Sequence, residues 1–323
     1  MISSVLKRLS AAVAVIVIAT AAFAQDFPKR PITMIVPFAA GGTSDVIARA
    51  VAEQMGIALG QTIVIENVAG AGGSTALARA SRAEPDGYTI AIGNAGTNAA
   101  AYTIYPKLPF TPESFVPIAM VAKTFGIIAL RKDFPSKDLK EFIAYAKANP
   151  GKVTHGSQGN GSTSHLTGQM FATMTGADML HIPFKGEGPA LTELLGGRVD
   201  LFFGNISAVL KYRETKQVKL LGLAAPKRGS MAPDVPTVAE GGLADFNSSA
   251  WFALAAPPGT PAAIAGKLNA AMVDILNMPD VRERFAAQGA EVIGGTPAEM
   301  NAFLATERAR WKKVIDTANV KLD

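Results

Sequence analysis

Two short stretches gather the glycines and hydroxyl side chains that could hold an anion. The first is PFAAGGTSD at residues 37–45, where Gly41 and Gly42 precede Thr43, Ser44 and Asp45. The second is GSQGNGSTS at residues 156–164, which ends in Ser162, Thr163 and Ser164. Glycine lets the backbone take positive φ and lets another group come close, while Ser, Thr and Asp cap the free amides of a helix start. Those amides and the helix dipole together attract a carboxylate or phosphate. Charge-assisted hydrogen bonds are about twice as strong as neutral ones, so amides and hydroxyls can hold a carboxylate with no arginine present. Either stretch alone also fits a plain strand-to-helix turn. Two of them, far apart in the chain, read as two walls of one cleft, with Thr43 and Ser44 on one and Ser157, Ser162, Thr163 and Ser164 on the other. Asp45 would repel an anion and is expected to tie down its own loop. Asn205, at a strand end, and Lys185 are further candidates beside the cleft.

Other chemistries find less support. The chain has three histidines, His155, His165 and His181, and no serine in a Gly-x-Ser-x-Gly elbow. Ser162 and His165 stand three residues apart at a helix start, so a secreted hydrolase using that pair is the rival reading from another class. The histidines lack metal-ligand spacing, and neither phosphate-binding glycine motif is present. No catalytic residue, metal or cofactor is therefore expected. With no cysteine in the chain, disulfides, thiol catalysis and cysteine metal sites are all excluded.

The elements that must position the two stretches alternate between strand and helix. An apolar run at residues 32–36 precedes the first stretch, and a helical pattern at 46–55 follows it. A second strand at 62–66, a glycine turn, a helix at 75–82 and a third strand at 88–92 continue the pattern. In the other half, short strands at 152–155, 179–182 and 199–203 alternate with helices at 165–175 and 189–195, and a further strand covers 218–225. Such alternation implies parallel sheets whose ligands sit at the C-terminal ends of the strands. Between the halves, strands at 118–122 and 126–130, split by Lys123, Thr124 and Phe125, read as one crossing, and residues 249–255 read as the return. A helix at 137–148, begun by Ser136, opens the second half. Helices at 261–276, 279–288 and 297–318, with a strand at 291–293, complete the chain.

At 323 residues and 49% hydrophobic, the chain can bury more than one core. Residues 1–24 carry Lys7 and Arg8, an apolar segment and a small-residue end at Ala24, the pattern of a cleaved secretory signal. The apolar part is shorter than the roughly 20 residues that span a bilayer. Its removal leaves 29 Lys plus Arg against 26 Asp plus Glu, a balance of about +3. That suits a protein that meets anions and lacks the basic runs of a nucleic-acid binder. The expected organisation is residues 25–124 with 250–323 as one lobe and 125–249 as the other.

Several long motifs carry a resemblance. They are PFAAGGTSD at 37–45, NVAGAGGSTALARA at 67–80, PDGYTIAIG at 85–93, GSQGNGSTSHL at 156–166, HIPFKGEGPALTELLGGRVDLFFGN at 181–205, PDVPTVAEGG at 233–242 and WFALAAPPGTP at 251–261. In this order, over essentially the whole chain after the signal, they resemble the substrate-binding proteins of tripartite tricarboxylate transporters, the Bug family. The resemblance implies a periplasmic α/β binding protein of two lobes (type II-like) with hinge crossings. It implies closure on a small carboxylate, which is delivered to a large and a small membrane subunit, and a monomer is expected. It points to Phe38, Ala39, Gly42 and Thr43 on one loop and to Ser157, Gly161, Ser162 and Thr163 on the other as ligand contacts. Where relatives often carry an Asp able to meet an amino group, this chain has Asn205, which disfavours an amino-acid ligand. Segment 97–101 also departs from the usual pattern of the family. The expected ligand carries two carboxyl groups, one on each loop, and a sensor for a membrane signalling partner would share the same site.

Overall fold

The computed structural model describes residues 27–317 and residue 320. The secretory signal expected over residues 1–24 lies outside them. The chain enters through β1 (Ile32–Val36), α1 (Thr43–Leu59), β2 (Ile63–Asn67), α2 (Ser74–Ala80) and β3 (Thr89–Asn94). β1 pairs in parallel with both β2 and β3. α1 turns Ile47, Ala48, Val51, Ala52 and Met55 inward, three or four residues apart, and Gly60 in the left-handed region ends it.

After β3 the chain makes a π turn (Gly96–Ala100) and then α3 (Ala101–Ile104), in a stretch to which the sequence reading assigns no element. Asn94 and Thr97 exchange bonds across this turn: Asn94 N–H donates to Thr97 Oγ1 at 2.9 Å and Thr97 N–H to Asn94 Oδ1 at 3.1 Å. The small side chains of Ala99, Ala100 and Ala101 then fit into a fully buried bend.

β4 (Val116–Arg131) is one strand of 16 residues, not the two expected. Lys123 and Thr124 were expected to interrupt it, but both find partners, the first on β10 and the second on α7 and just before β10. Lys123 pairs with Glu291 at 2.9 Å, and the Thr124 hydroxyl donates to Gly289 O at 2.9 Å and also meets Ser207. A strand can carry polar residues when their groups are satisfied.

The second half runs through α4 (Leu139–Ala148), β5 (Val153–Ser157), α5 (Thr163–Thr175), β6 (Met179–Pro183), α6 (Glu187–Leu195), β7 (Leu201–Asn205), α7 (Ile206–Glu214) and β8 (Val218–Ala224). Asp138, rather than Ser136, caps α4 by accepting from Glu141 N–H at 2.8 Å. α7 was not anticipated from the sequence; it buries Ile206, Val209 and Leu210. The chain returns through β9 (Ser249–Ala256), α8 (Ala262–Asn277), α9 (Pro279–Ala287), β10 (Ala290–Gly294) and α10 (Pro297–Thr317). At the start of α10, Thr296 and Glu299 cap each other's amides, as their spacing predicts.

The strands run in the order β2-β1-β3-β9-β4-β7-β5-β6, with β8 and β10 also on β4. Up to Phe125, β4 pairs with β9 and β10; from Gly126 onward it pairs with β7 and β8. The cores divide at the same place. Ile118, Val121 and Ala122 join the cluster under α1, α8 and α9, whereas Ile127 and Ala129 face one cluster of the second half and Ile128 and Leu130 another. That alternation is the period of two that puts successive side chains on opposite faces. At the crossing, Gly126 N–H donates to Ser248 O at 2.8 Å.

Candidate ligand cleft

The loop after β1 forms one wall, and Asp45 organises it. Its Oδ2 accepts from Gly41 N–H and from Arg49 Nε, both at 3.0 Å, and its Oδ1 accepts from Asn67 Nδ2 at 3.0 Å. Burial works against the Asp45 charge, but the bonds from Arg49, Gly41 and Asn67 outweigh it and hold the carboxyl below its ordinary range. Asn67 Nδ2 also donates to Phe38 O at 2.9 Å. α1 begins at Thr43, three residues before the helical pattern at Val46, and its N-cap Gly42 offers no side chain. The amide of Thr43 therefore needs an acceptor from elsewhere. It donates to Glu187 Oε2 at 2.8 Å, across 144 residues of sequence.

The loop after β5 forms the other wall and satisfies much of itself. Ser157 Oγ meets His181 Nε2 at 2.6 Å and accepts from Gly159 N–H at 3.0 Å. Ser162 caps α5 by accepting from His165 N–H at 3.3 Å, and Ser164 Oγ accepts from Gln158 N–H at 2.8 Å. His165 Nδ1 accepts from Gly161 N–H at 3.1 Å. That ring nitrogen serves the loop, so Ser162 and His165 do not make a nucleophile and base. His165 stacks on His181 at 4.1 Å between ring centres, and His155 stacks on His181 at 4.9 Å. Burial pulls His155 and His181 down to about 3 and His165 down to about 4, all far below the ordinary 6.5, and the neighbouring rings push His155 and His181 further in that direction.

Bonds beside the two loops also tie the first half of the chain to the second. Besides Thr43 to Glu187, Ala39 N–H donates to Lys185 O at 3.0 Å and Tyr105 Oη donates to Asn160 O at 2.7 Å. Between the halves lies a cavity of about 10 Å³, room for one water-sized sphere, lined by Asn94, Gln158, Thr163, Thr167, Asn205 and Ser248 among others. An outer groove of about 540 Å³ adjoins it at Gln158 and runs past Gly72, Asn160, Phe184 and Lys185. Thr43 Oγ1 on the first loop and Gln158 Oε1 and Thr163 Oγ1 on the second are buried without a hydrogen-bond partner in the protein. Buried polar groups are nearly always paired, so these atoms have bonding capacity left over.

Of the residues singled out from the sequence, Thr163, Ser164 and Asn205 line the inner cavity. Phe38, Ala39, Gly42, Thr43, Ser157, Gly161 and Ser162 stand around it in the two loops and are not among its lining residues. Gln158, Asn94, Thr167, Ser248 and Glu187 were not singled out. Gln158 was within reach of sequence reasoning, as the long polar side chain in a loop of small ones. Among the described residues, no group of three or more His, Cys, Asp or Glu could hold a metal, and no helix is long and apolar enough to cross a membrane.

Comparison with known proteins bears on the family and the fold. Residues 47–320 match the family described as tripartite tricarboxylate transporter family receptor. Protein BugT of Bordetella pertussis is 37% identical over 307 residues, covering 94% of each chain. The solved structure of the periplasmic binding protein BugD superposes with a TM-score of 0.89 at 36% identity, over 91% of this chain and 99% of that one. Rpa4515 of R. palustris, solved with adipate, gives 0.89 at 33%, over 92% and 99%. MatC of Rhodopseudomonas palustris, solved with malate, gives 0.86 at 38%, over 90% and 100%.

Proposed function

The chain belongs to the tripartite tricarboxylate transporter receptor family, whose members are solute-binding proteins and not enzymes, and from this we propose that it captures a small organic carboxylate in the periplasm and delivers it to the large and small membrane subunits of a tripartite transporter. Dicarboxylates, tricarboxylates and aromatic acids are the candidate classes. The adipate and malate held by two similar structures favour acids of this size. The apolar segment before Ala24 is read as the signal that exports the chain.

In this reading residues 25–124 with 250–323 make one lobe and residues 125–249 the other, with the turn between them at Gly126 and Ser248. The two loops approach as the lobes close. Their remaining polar groups then bond the ligand in a space that excludes water, so ligand binding and closure favour each other. The observation that carries the reading is the Thr163 hydroxyl, buried, unpartnered and able to donate, at a cavity bounded by both halves.

Thermal-shift and calorimetric titration with adipate, malate, citrate, benzoate and neutral sugars test it. Carboxylates are expected to raise the midpoint and sugars to leave it unchanged. Thr163→Val, which removes the hydroxyl at nearly constant volume, is expected to weaken carboxylate binding about 10-fold or more, the worth of one charge-assisted hydrogen bond. A panel in which only sugars or cations bind overturns the proposal.

A further inference from the structure

Glu187 opens α6 between Gly186 and Gly188 and is buried, with 2% of its surface exposed. Its Oε1 accepts from Asn205 N–H at 2.9 Å, within its own half of the molecule. Its Oε2 accepts from Thr43 N–H at 2.8 Å, in the opposite half. The carboxyl thus sits at the N-terminus of a 17-residue helix, where free amides and the dipole favour negative charge, but complete burial outweighs them and pushes it above the ordinary carboxylate range. The surroundings are shaped to admit it. A Cβ on Gly42 would lie 2.9 Å from Glu187 Cβ, and a Cβ on Gly188 would lie 2.7 Å from Ala40 O. The neighbouring bond from Ala39 N–H to Lys185 O brings the same segment against the same loop.

We propose that Glu187 is a specificity-determining carboxylate, carried on one half by its bond to Asn205 and docked on α1 when the halves meet, so that the protein's own side chain fills the anion seat of the first glycine loop. This rests on the receptor reading in taking the ligand to be an anion. The ligand's carboxylate is then directed to the second loop, where the Thr163 hydroxyl is free to donate and the Gln158 amide carries both a donor and an acceptor. A second carboxylate long enough to reach α1 finds the Thr43 amide already taken by Glu187, whereas an acid with an uncharged far end has no need of it. Glu187 also links closure to α1 independently of any ligand, because one of its two bonds is made only when the halves are together.

The first test needs no ligand. The chain contains no cysteine, so spin labels at Glu84→Cys and Lys140→Cys, exposed positions on opposite halves, are unique. Distance distributions are measured for the ligand-free protein with Glu187, with Glu187→Gln and with Glu187→Ala. The short-distance population is expected to shrink in that order, the isosteric Gln variant guarding against a folding defect in the Ala variant. Three identical distributions overturn the docking role. The second test titrates adipate and hexanoate, equal in length but with two and one carboxylates, into the native protein and Glu187→Ala. The ratio of adipate to hexanoate affinity is expected to rise about tenfold in the variant. An unchanged ratio overturns the assignment of the seat. If neither acid binds either protein, the choice of ligand class has failed, and the label distances still decide on Glu187.

Discussion

His155, His165 and His181 are stacked in the second half, and ring nitrogens of His165 and His181 hold the loop after β5. Each is kept neutral by burial, so each binds a proton in the unfolded chain near pH 6.5 but in the folded protein only near 3 to 4. The unfolded state therefore holds more protons throughout the interval between. Stability must then rise with pH from about 4 to about 6.5 and be flat, as far as these groups go, above it. Acid unfolding followed by circular dichroism is expected to show an uptake of up to three protons from this cluster. His155→Phe, at a position already edge-on to Phe203, should lower that uptake by about one; an unchanged pH slope would contradict the assignment. Residue types in the sequence revealed the capacity to bond an anion and not the direction of each bond. Ser157 and Ser162 have hydroxyls of the right kind, but these serve His181, Gly159 and the α5 amides. Thr163, next in the chain, has a hydroxyl left over. Glu187, between two glycines, looks like a solvated surface acid until the chain brings Thr43 to it from 144 residues away.

The loop after β5 is an element with almost no freedom left, because its amides are taken by Ser157, Ser164 and His165. Gly161 completes it at φ +76°, and a Cβ there would lie 2.9 Å from Tyr105 Oη of the facing half. Gly161→Val combines a β-branched side chain at positive φ with that collision. It should cost about 1–3 kcal/mol in stability, leave the fold in place and abolish carboxylate binding, as judged by denaturation and calorimetry. Retained affinity would show that the loop does not have to approach Tyr105. Elements of this kind were largely legible from the sequence, since strand, glycine turn and helix recur with clear periodicity, and Thr296 with Glu299 marks the start of α10. The misreadings have physical causes. β4 looked broken because Lys123 and Thr124 meet their partners only through β10 and α7, and the turn after β3 looked irregular because its stability lies in the mutual bonds of Asn94 and Thr97.

For the whole molecule, the decisive place is where β4 passes from one set of partners to the other. A Cβ on Gly126 would lie 2.6 Å from Ser248 O, a main-chain atom that cannot swing aside. Gly126→Ala is therefore expected to push the two crossing strands apart and to cost about 1–3 kcal/mol, read as a lower denaturation midpoint; a midpoint equal to that of the native protein would show that the crossing tolerates a wider gap. The strands at the two crossings were readable from the sequence, but the contacts between the first and second halves of the chain were not, since each joins residues that no local pattern connects. The strand order has one more consequence, for how the chain comes into being. β3 and the first part of β4 both lie against β9, whose residues 249–256 arrive near the end of the sequence, whereas β5 to β8 find their partners within one uninterrupted segment. A polypeptide that emerges N-terminus first must finish the half that emerges second before the half that emerges first, and the opening strands must wait, incompletely paired, for the tail of their own chain.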